Sequence, residues 1–245
     1  MLGKLIKYDL QSALKKLGPL YLALLALSVL AGISIRFSVT ENWVFTIIMI
    51  VYFITMIVCW AIPIFILASH FRRNLLEEEG YLMFSLPVST LEHIVAKVIS
   101  ALVCLITCSI AVALSFGIIG LIAADMNDIK ALIEAIGELL SMDIDYLEIT
   151  KNAIKVMIMS ILGSVQIITQ IYAAIAIGHL VKDHETLGAV GAFIGMSAIL
   201  SFIVNQIPMP DFMTAFWPFY LEAAIVIVIF TVITWIVLDR NLNLA

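Results

Sequence analysis

Long stretches with at most one charged residue recur along the chain, and the segments between them carry most of its charge. Each stretch has about the 20 residues that a helix needs to cross the hydrocarbon layer of a bilayer. None alternates in polarity as the strands of an outer-membrane barrel do. The pattern predicts an all-α membrane protein with six spans, at 17–35, 43–68, 98–124, 156–180, 187–207 and 219–238.

Composition agrees with this pattern. Of the 245 residues, 63% are apolar and 13% are charged, whereas a soluble domain has about 45–50% and about 25%. The net charge of -5 argues against nucleic acid as a partner, because phosphate binding needs clustered Lys and Arg. The three cysteines lie inside apolar runs, so no metal site is predicted. We treat residues 1–245 as a single membrane domain.

The distribution of Lys and Arg predicts the orientation. Cytoplasmic loops of membrane proteins carry the excess of these residues. With both termini in the cytoplasm, nine basic residues lie inside and four lie outside. The inner set is Lys4, Lys7, Lys15, Lys16, Arg72, Arg73, Lys97, Lys182 and Arg240, and the outer set is Arg36, Lys130, Lys151 and Lys155.

The first 16 residues have apolar positions at three- and four-residue spacing, with lysines on the other side. This pattern predicts an amphipathic helix over 1–16 that lies on the inner membrane surface. Two interpretations are open. The helix is either anchored by anionic lipid or acts as a lever that contacts a cytoplasmic partner.

The segment 125–150 is the longest hydrophilic stretch and is predicted to be extracellular. Apolar residues at helical spacing predict a helix that packs as a lid on the outer ends of the spans. From Asp125 to Glu148 it has seven acidic residues and one basic residue, Lys130. Such a surface favours cationic substrates, although acidic outer loops are also what positive-inside sorting leaves behind.

The connection 69–93 between the second and third spans is the most informative segment. A charged helix is predicted to end at Gly80, and a large apolar run leads to Pro87, which blocks the helix. Ser89 and Glu92 have capping-box spacing, so the helix restarts there. An apolar elbow beside the cytoplasm is typical of a binding surface; the alternative is that the elbow lies among the lipid headgroups.

The run from Glu79 to Ser89 resembles the first cytoplasmic loop of type-2 ABC exporter permeases. The six spans, the amphipathic N-terminus and the chain length are similar to the bacitracin-resistance and lantibiotic-immunity group of that family. The resemblance implies that the loop is a coupling helix that docks on an ATPase subunit. The implied coupling residues are Glu78, Glu79, Gly80, Tyr81, Leu82, Met83, Phe84, Leu86 and Pro87.

The same resemblance implies the partners. They are two copies of an ABC ATPase, which bind the ATP and Mg, and a second permease chain, either identical or diverged. No cofactor is expected on this chain itself, and the bacterial cytoplasmic membrane is the expected location.

The energy source is expected to lie outside this chain. No GxxxxGK[ST] loop is present to bind ATP phosphates. No Asp, Glu, Lys or Arg falls in the middle of a predicted span, as a proton relay would require. The chain is therefore predicted to be a transport subunit and not an enzyme.

Polar and small residues mark two of the spans. Gln166 and Gln170 share a face of the fourth span and either bond between helices or line a substrate path. Gly188, Gly191 and Gly195 on the fifth span let another helix approach closely and predict a packing face.

Two other function classes fit the sequence less well. An intramembrane enzyme is disfavoured because the sequence from His184 has Gly188 where the second histidine of an HExxH zinc motif belongs. An oligomeric channel, or another membrane protein that is not coupled to ATP, is the main alternative, with Gln166 and Gln170 as its weak pore signal. The expected function is export of an amphipathic substrate, such as an antimicrobial peptide, a drug or a lipid.

Overall fold

Six long helices form the chain in a computed structural model, which describes residues 2–37, 43–75, 90–125, 130, 134, 137, 146–181, 184–206 and 216–241. The helices are α1 (Leu2–Arg36), α2 (Trp43–Leu75), α3 (Thr90–Ala123), α4 (Tyr146–His179), α5 (Glu185–Gln206) and α6 (Trp217–Asn241). All six are long and apolar enough to cross a bilayer.

The six predicted spans are confirmed as helices, and the chain is a multi-pass membrane protein by the length and composition of those helices. Most helices are longer than the charge-free runs. For example, α2 continues to Leu75 and α3 begins at Thr90. Helices extend past the apolar run because their polar turns keep their backbone hydrogen bonds when they leave the hydrocarbon.

The predicted amphipathic helix is not a separate element. Residues 2–16 are helical, but α1 runs without a break into the first span and includes Pro19. One buried stripe, made of Ala13, Leu17, Leu24 and Ala31, crosses the expected boundary. Packing along this stripe stabilises a single helix, and a proline within a membrane helix is tolerated where neighbours compensate for the lost backbone bond.

The helices contribute to two compact units. One unit, which we call the α2–α3 unit, comprises Ser12–Pro63 and Cys104–Ala153. Its core contains Leu24, Tyr52, Cys59 and Cys108. Hydrogen bonds between helices support this core, since the Tyr52 hydroxyl lies 2.9 Å from the Ser115 hydroxyl and the Cys108 thiol donates to the Cys59 carbonyl at 2.9 Å.

The other unit, which we call the α4 unit, comprises Met1–Gln11, Ile64–Val103 and Ile154–Ala245. The second half of α4 is its centre, with buried residues on every side of the helix from Ile168 to Gly178. Ala173 of α4 packs with Val226 and Phe230 of α6. By contrast, no residue of α5 is fully buried.

Contacts within the α4 unit place several helix ends together. The start of α6 meets the start of α4, where the Tyr220 hydroxyl donates to the Lys155 carbonyl at 2.9 Å. The beginning of α1, the end of α2, the beginning of α3, the end of α4 and the beginning of α5 meet at the other end, which we call the charged end. Its side chains are described next.

The predicted outer helix is only partly within the described residues. Lys130, Glu134 and Gly137 are helical and exposed, in agreement with a helix there. Its predicted role as a lid stays a prediction.

Candidate functional site

A buried ion pair joins α1 and α3 at the charged end. The Lys97 ammonium donates to both carboxylate oxygens of Asp9, at 2.8 and 2.6 Å. The Lys97 side chain is 4% exposed and the Asp9 side chain 15%. A buried charge must be paired to persist away from water. Asp9 therefore holds the beginning of α1 through a specific contact with Lys97 of α3.

An aromatic pair continues this contact to α2 and α4. The Tyr172 hydroxyl donates to the backbone carbonyl of Lys97 at 3.3 Å. The Tyr172 ring is stacked on Phe71, with ring centroids 4.2 Å apart and planes 10° apart. Both aromatic residues are almost fully buried. The four side chains Asp9, Lys97, Tyr172 and Phe71, which we call the buried network, connect four helices.

A second ionic group, which we call the exposed triad, lies one residue further along α2. The Arg72 guanidinium is 3.5 Å from a Glu185 carboxylate oxygen, and His179 Nδ1 is 3.2 Å from the other oxygen. The Arg72 side chain is 43% exposed, and those of His179 and Glu185 are about a third exposed. Solvent screens such a pair, so its contribution to stability is small. The triad nevertheless places a cation and an anion side by side at the ends of α2, α4 and α5.

A cavity of about 410 Å³ lies beside the exposed triad. Its apolar lining includes Phe65, Ala68, Ile175 and Ala189, and the three triad residues supply most of its polar lining. The volume is within the range of ligand pockets, which are usually apolar with a few placed polar groups. The cavity is therefore a candidate binding site in the α4 unit.

Close contact of α4 and α5 shapes one side of this cavity. A Cβ added to Gly178 would lie 2.5 Å from the backbone nitrogen of Ala189, and one added to Gly188 would lie 3.2 Å from the Gly178 Cα. Of the three predicted packing glycines, Gly188 thus lies in the contact. Gly191 and Gly195 have open space where a side chain would point. Gly178 was not singled out from the sequence.

The two glutamines of α4 both contact other helices. The Gln170 side chain is buried, and its amide donates to the Ser197 hydroxyl of α5 at 2.6 Å. The Gln166 amide lies 3.4 Å from a carboxylate oxygen of Glu222 on α6. Both hydrogen bonds join α4 to another helix, as the interpretation of the glutamines as interhelical contacts predicts. Whether the same face also borders a substrate path stays a prediction.

The predicted coupling residues lie outside the described residues. This applies to all nine, from Glu78 to Pro87. The helices on either side are described, and both carry residues of the charged end. Arg72 lies three residues before the end of α2, and Lys97 lies seven residues after the start of α3. The predicted restart of a helix after Pro87 is confirmed by the start of α3 at Thr90.

Sequence reasoning missed the pairing at the charged end. Arg72 and Lys97 were interpreted only as markers of the cytoplasmic side, and Asp9, Phe71 and Tyr172 received no role. One signal was present, because Asp9 is the single acidic residue among the lysines of the first 16 residues. An acid within a basic segment predicts a specific basic partner, although it does not say which.

Comparisons with protein-family models, with curated proteins and with solved structures found no match to this chain. The resemblance to type-2 exporter permeases therefore stays a prediction from the residues of the elbow.

Proposed function

We propose that this chain is the transmembrane permease subunit of an ATP-driven exporter of an amphipathic substrate. It works with two ATPase subunits and a second permease chain. The observation that carries the proposal is the connection between the charged end and the predicted coupling loop. Both helices that flank residues 76–89 are tied, through named side chains, to α1, α4 and α5.

Force applied to the loop has a defined route into the α4 unit. At 1.5 Å per residue, Arg72 is about 5 Å from the end of α2 and Lys97 about 10 Å from the start of α3. A displacement of the α2 end acts on α4 through the Phe71–Tyr172 stack and on α5 through Glu185. A displacement of the α3 start acts on α1 through Asp9. Packed side chains transmit such shifts because interiors have low compressibility.

The lack of a P-loop in the sequence supports an external ATPase. The apolar run from Tyr81 to Leu86 would give that ATPase a surface to bind. The order of events follows from the resemblance. ATP binding draws the ATPases together, the elbow moves with them, and the spans switch access from one leaflet to the other.

A carrier that is not coupled to ATP is the second candidate, and the buried network favours it. Asp9 and Lys97 form an acid–base pair that is almost hidden from water. Buried ionisable pairs in membrane proteins often belong to ion or proton routes. A carrier of this kind would move substrate without nucleotide, which separates the two candidates.

The test is purification of the tagged chain from its own membranes in mild detergent. We expect a protein with a Walker motif to co-purify, and nucleotide hydrolysis with it. Phe84→Asp and Gly80→Pro should lower the amount of this partner several-fold while the chain still inserts, because each disrupts the elbow. Gly137→Asp is the matched control, since it introduces the same charge at an exposed position of the outer segment.

Two results would count against the proposal. One is co-purification and hydrolysis at the wild-type level with both elbow variants. The other is full-speed substrate transport by the purified chain in vesicles that contain no nucleotide, and this result would favour the second candidate.

A further inference from the structure

The cavity beside the exposed triad is open to the surroundings of the helices. Phe65, the lining residue of α2 that is furthest from Arg72, is 74% exposed, and it lies on a helix that is apolar enough to cross a bilayer. In a bilayer, a phenyl ring in that position would contact lipid. A molecule can therefore reach the cavity sideways from the membrane as well as from the charged end.

The cavity has a gradient of polarity along all three helices that line it. On α2, Arg72 is seven residues from Phe65, which corresponds to about 10 Å. On α4, His179 is four residues from Ile175, and on α5, Glu185 is four residues from Ala189, about 6 Å in each case. In each helix the polar residue lies nearer to the helix end than the apolar residue does.

This gradient matches an amphiphile that lies parallel to the helices, with its head at their ends and its chain inside. The charges at the polar end then select the head. Arg72 offers a cation and Glu185 an anion, so a head with one charge of each sign is matched and a purely anionic head is not. Charge-assisted bonds of this kind are the strong ones.

We propose that the cavity binds a zwitterionic phospholipid with a primary ammonium, that is, a phosphoethanolamine lipid. Arg72 donates to the lipid phosphate, Glu185 accepts from the ammonium, and the acyl chain lies against Phe65, Ala68 and Ile175. Choline heads fit less well because a quaternary ammonium has no N–H to donate to Glu185. The inference rests on this cavity alone and does not depend on the proposed transport function.

The test is lipid binding to the full chain in detergent, measured by native mass spectrometry. The probes are dioleoyl lipids with ethanolamine, choline or glycerol heads at the same concentration. We expect the ethanolamine lipid to bind about tenfold more tightly than the other two, because it alone makes both charge-assisted contacts. Glu185→Gln should remove the preference for ethanolamine over choline, and Arg72→Gln should weaken both of these lipids.

A second pair of variants does not alter any charge. Ala68→Phe places a ring in the cavity and should weaken all three lipids at least several-fold. Ala198→Phe, at an exposed position of α5 outside the cavity, should leave binding unchanged. If the charge variants fail to give folded protein, this pair decides where the lipid binds, and the order of the three lipids on the unaltered chain decides the head preference.

Several outcomes would overturn the proposal. Equal binding of the three lipids, or a preference for the glycerol head, would show that the triad does not select a zwitterion. Unchanged binding by Ala68→Phe would place the lipid elsewhere. Displacement of the lipid by soluble glycerophosphoethanolamine at a similar concentration would show that the site takes a water-soluble ligand and not a lipid.

Discussion

Removal of one partner of the Asp9–Lys97 pair tests the charged end most directly. Lys97→Met deletes the ammonium but keeps a long apolar side chain, and it leaves Asp9 without the two bonds of 2.8 and 2.6 Å. Breaking a buried ion pair costs about 3–5 kcal/mol, because the remaining charge is uncompensated. The Asp9 side chain keeps 15% exposure, so water can reach it in part. We therefore expect about 3 kcal/mol.

The double variant separates the interaction between the two charges from the effect of replacing each side chain. Asp9→Leu with Lys97→Met removes both charges, and apolar replacements of buried pairs are often neutral or stabilising. We expect the double variant to recover most of the loss. Lys15→Met is the matched control, since it removes the same charge from an exposed position of α1 and should change stability by less than about 0.5 kcal/mol.

The assay is equilibrium unfolding in mixed micelles with increasing sodium dodecyl sulfate, followed by circular dichroism. The reasoning would be refuted if Lys97→Met stayed within about 1 kcal/mol of wild type, the value of an exposed pair. It would equally fail if the double variant were as unstable as the two single losses combined, because the two charges would then not be coupled.

Two further predictions use the same unfolding assay. Gly178→Ala should destabilise the protein by about 1–3 kcal/mol through overpacking, because its Cβ would lie 2.5 Å from the Ala189 nitrogen. Gly191→Ala is the control and should be tolerated, because a Cβ there meets open space. Equal effects of the two variants would contradict the close contact of α4 and α5. Gln170→Leu and Ser197→Ala should each cost about 0.6–2 kcal/mol with no added loss in the double variant. Altered substrate preference with unchanged stability in Gln170→Leu would instead favour the substrate-path interpretation.

The six helices could be predicted because the bilayer imposes one rule on every span: each needs a long apolar run and must satisfy its backbone bonds internally. The continuity of α1 from the amphipathic segment into the first span could not be predicted. Lys15 and Lys16 come directly before the apolar run, but they do not interrupt the helix. What keeps α1 continuous is the buried stripe from Ala13 to Ala31, which depends on packing partners far away in the sequence.

The contacts at the charged end escaped prediction for a related reason. Asp9 and Lys97 are 88 residues apart, and a hydropathy pattern assigns each to a helix end without saying which ends meet. The glycines show the same difficulty. Their spacing predicted a packing face on α5, and Gly188 packs against Gly178, while Gly191 and Gly195 lie in open space. Spacing defines a face of a helix but does not name what lies opposite.

The pairing at the charged end also bears on the predicted orientation. Lys97 belongs to the basic residues predicted to be cytoplasmic, yet it is paired with Asp9 of the same unit. A paired lysine that is 4% exposed offers little charge to lipid headgroups. Without Lys97, the basic residues on the predicted inner side still outnumber those on the outer side by eight to four, and four of the eight are lysines of α1. The predicted orientation therefore depends on α1, whose beginning Asp9 holds at the charged end, where α2 ends and α3 begins.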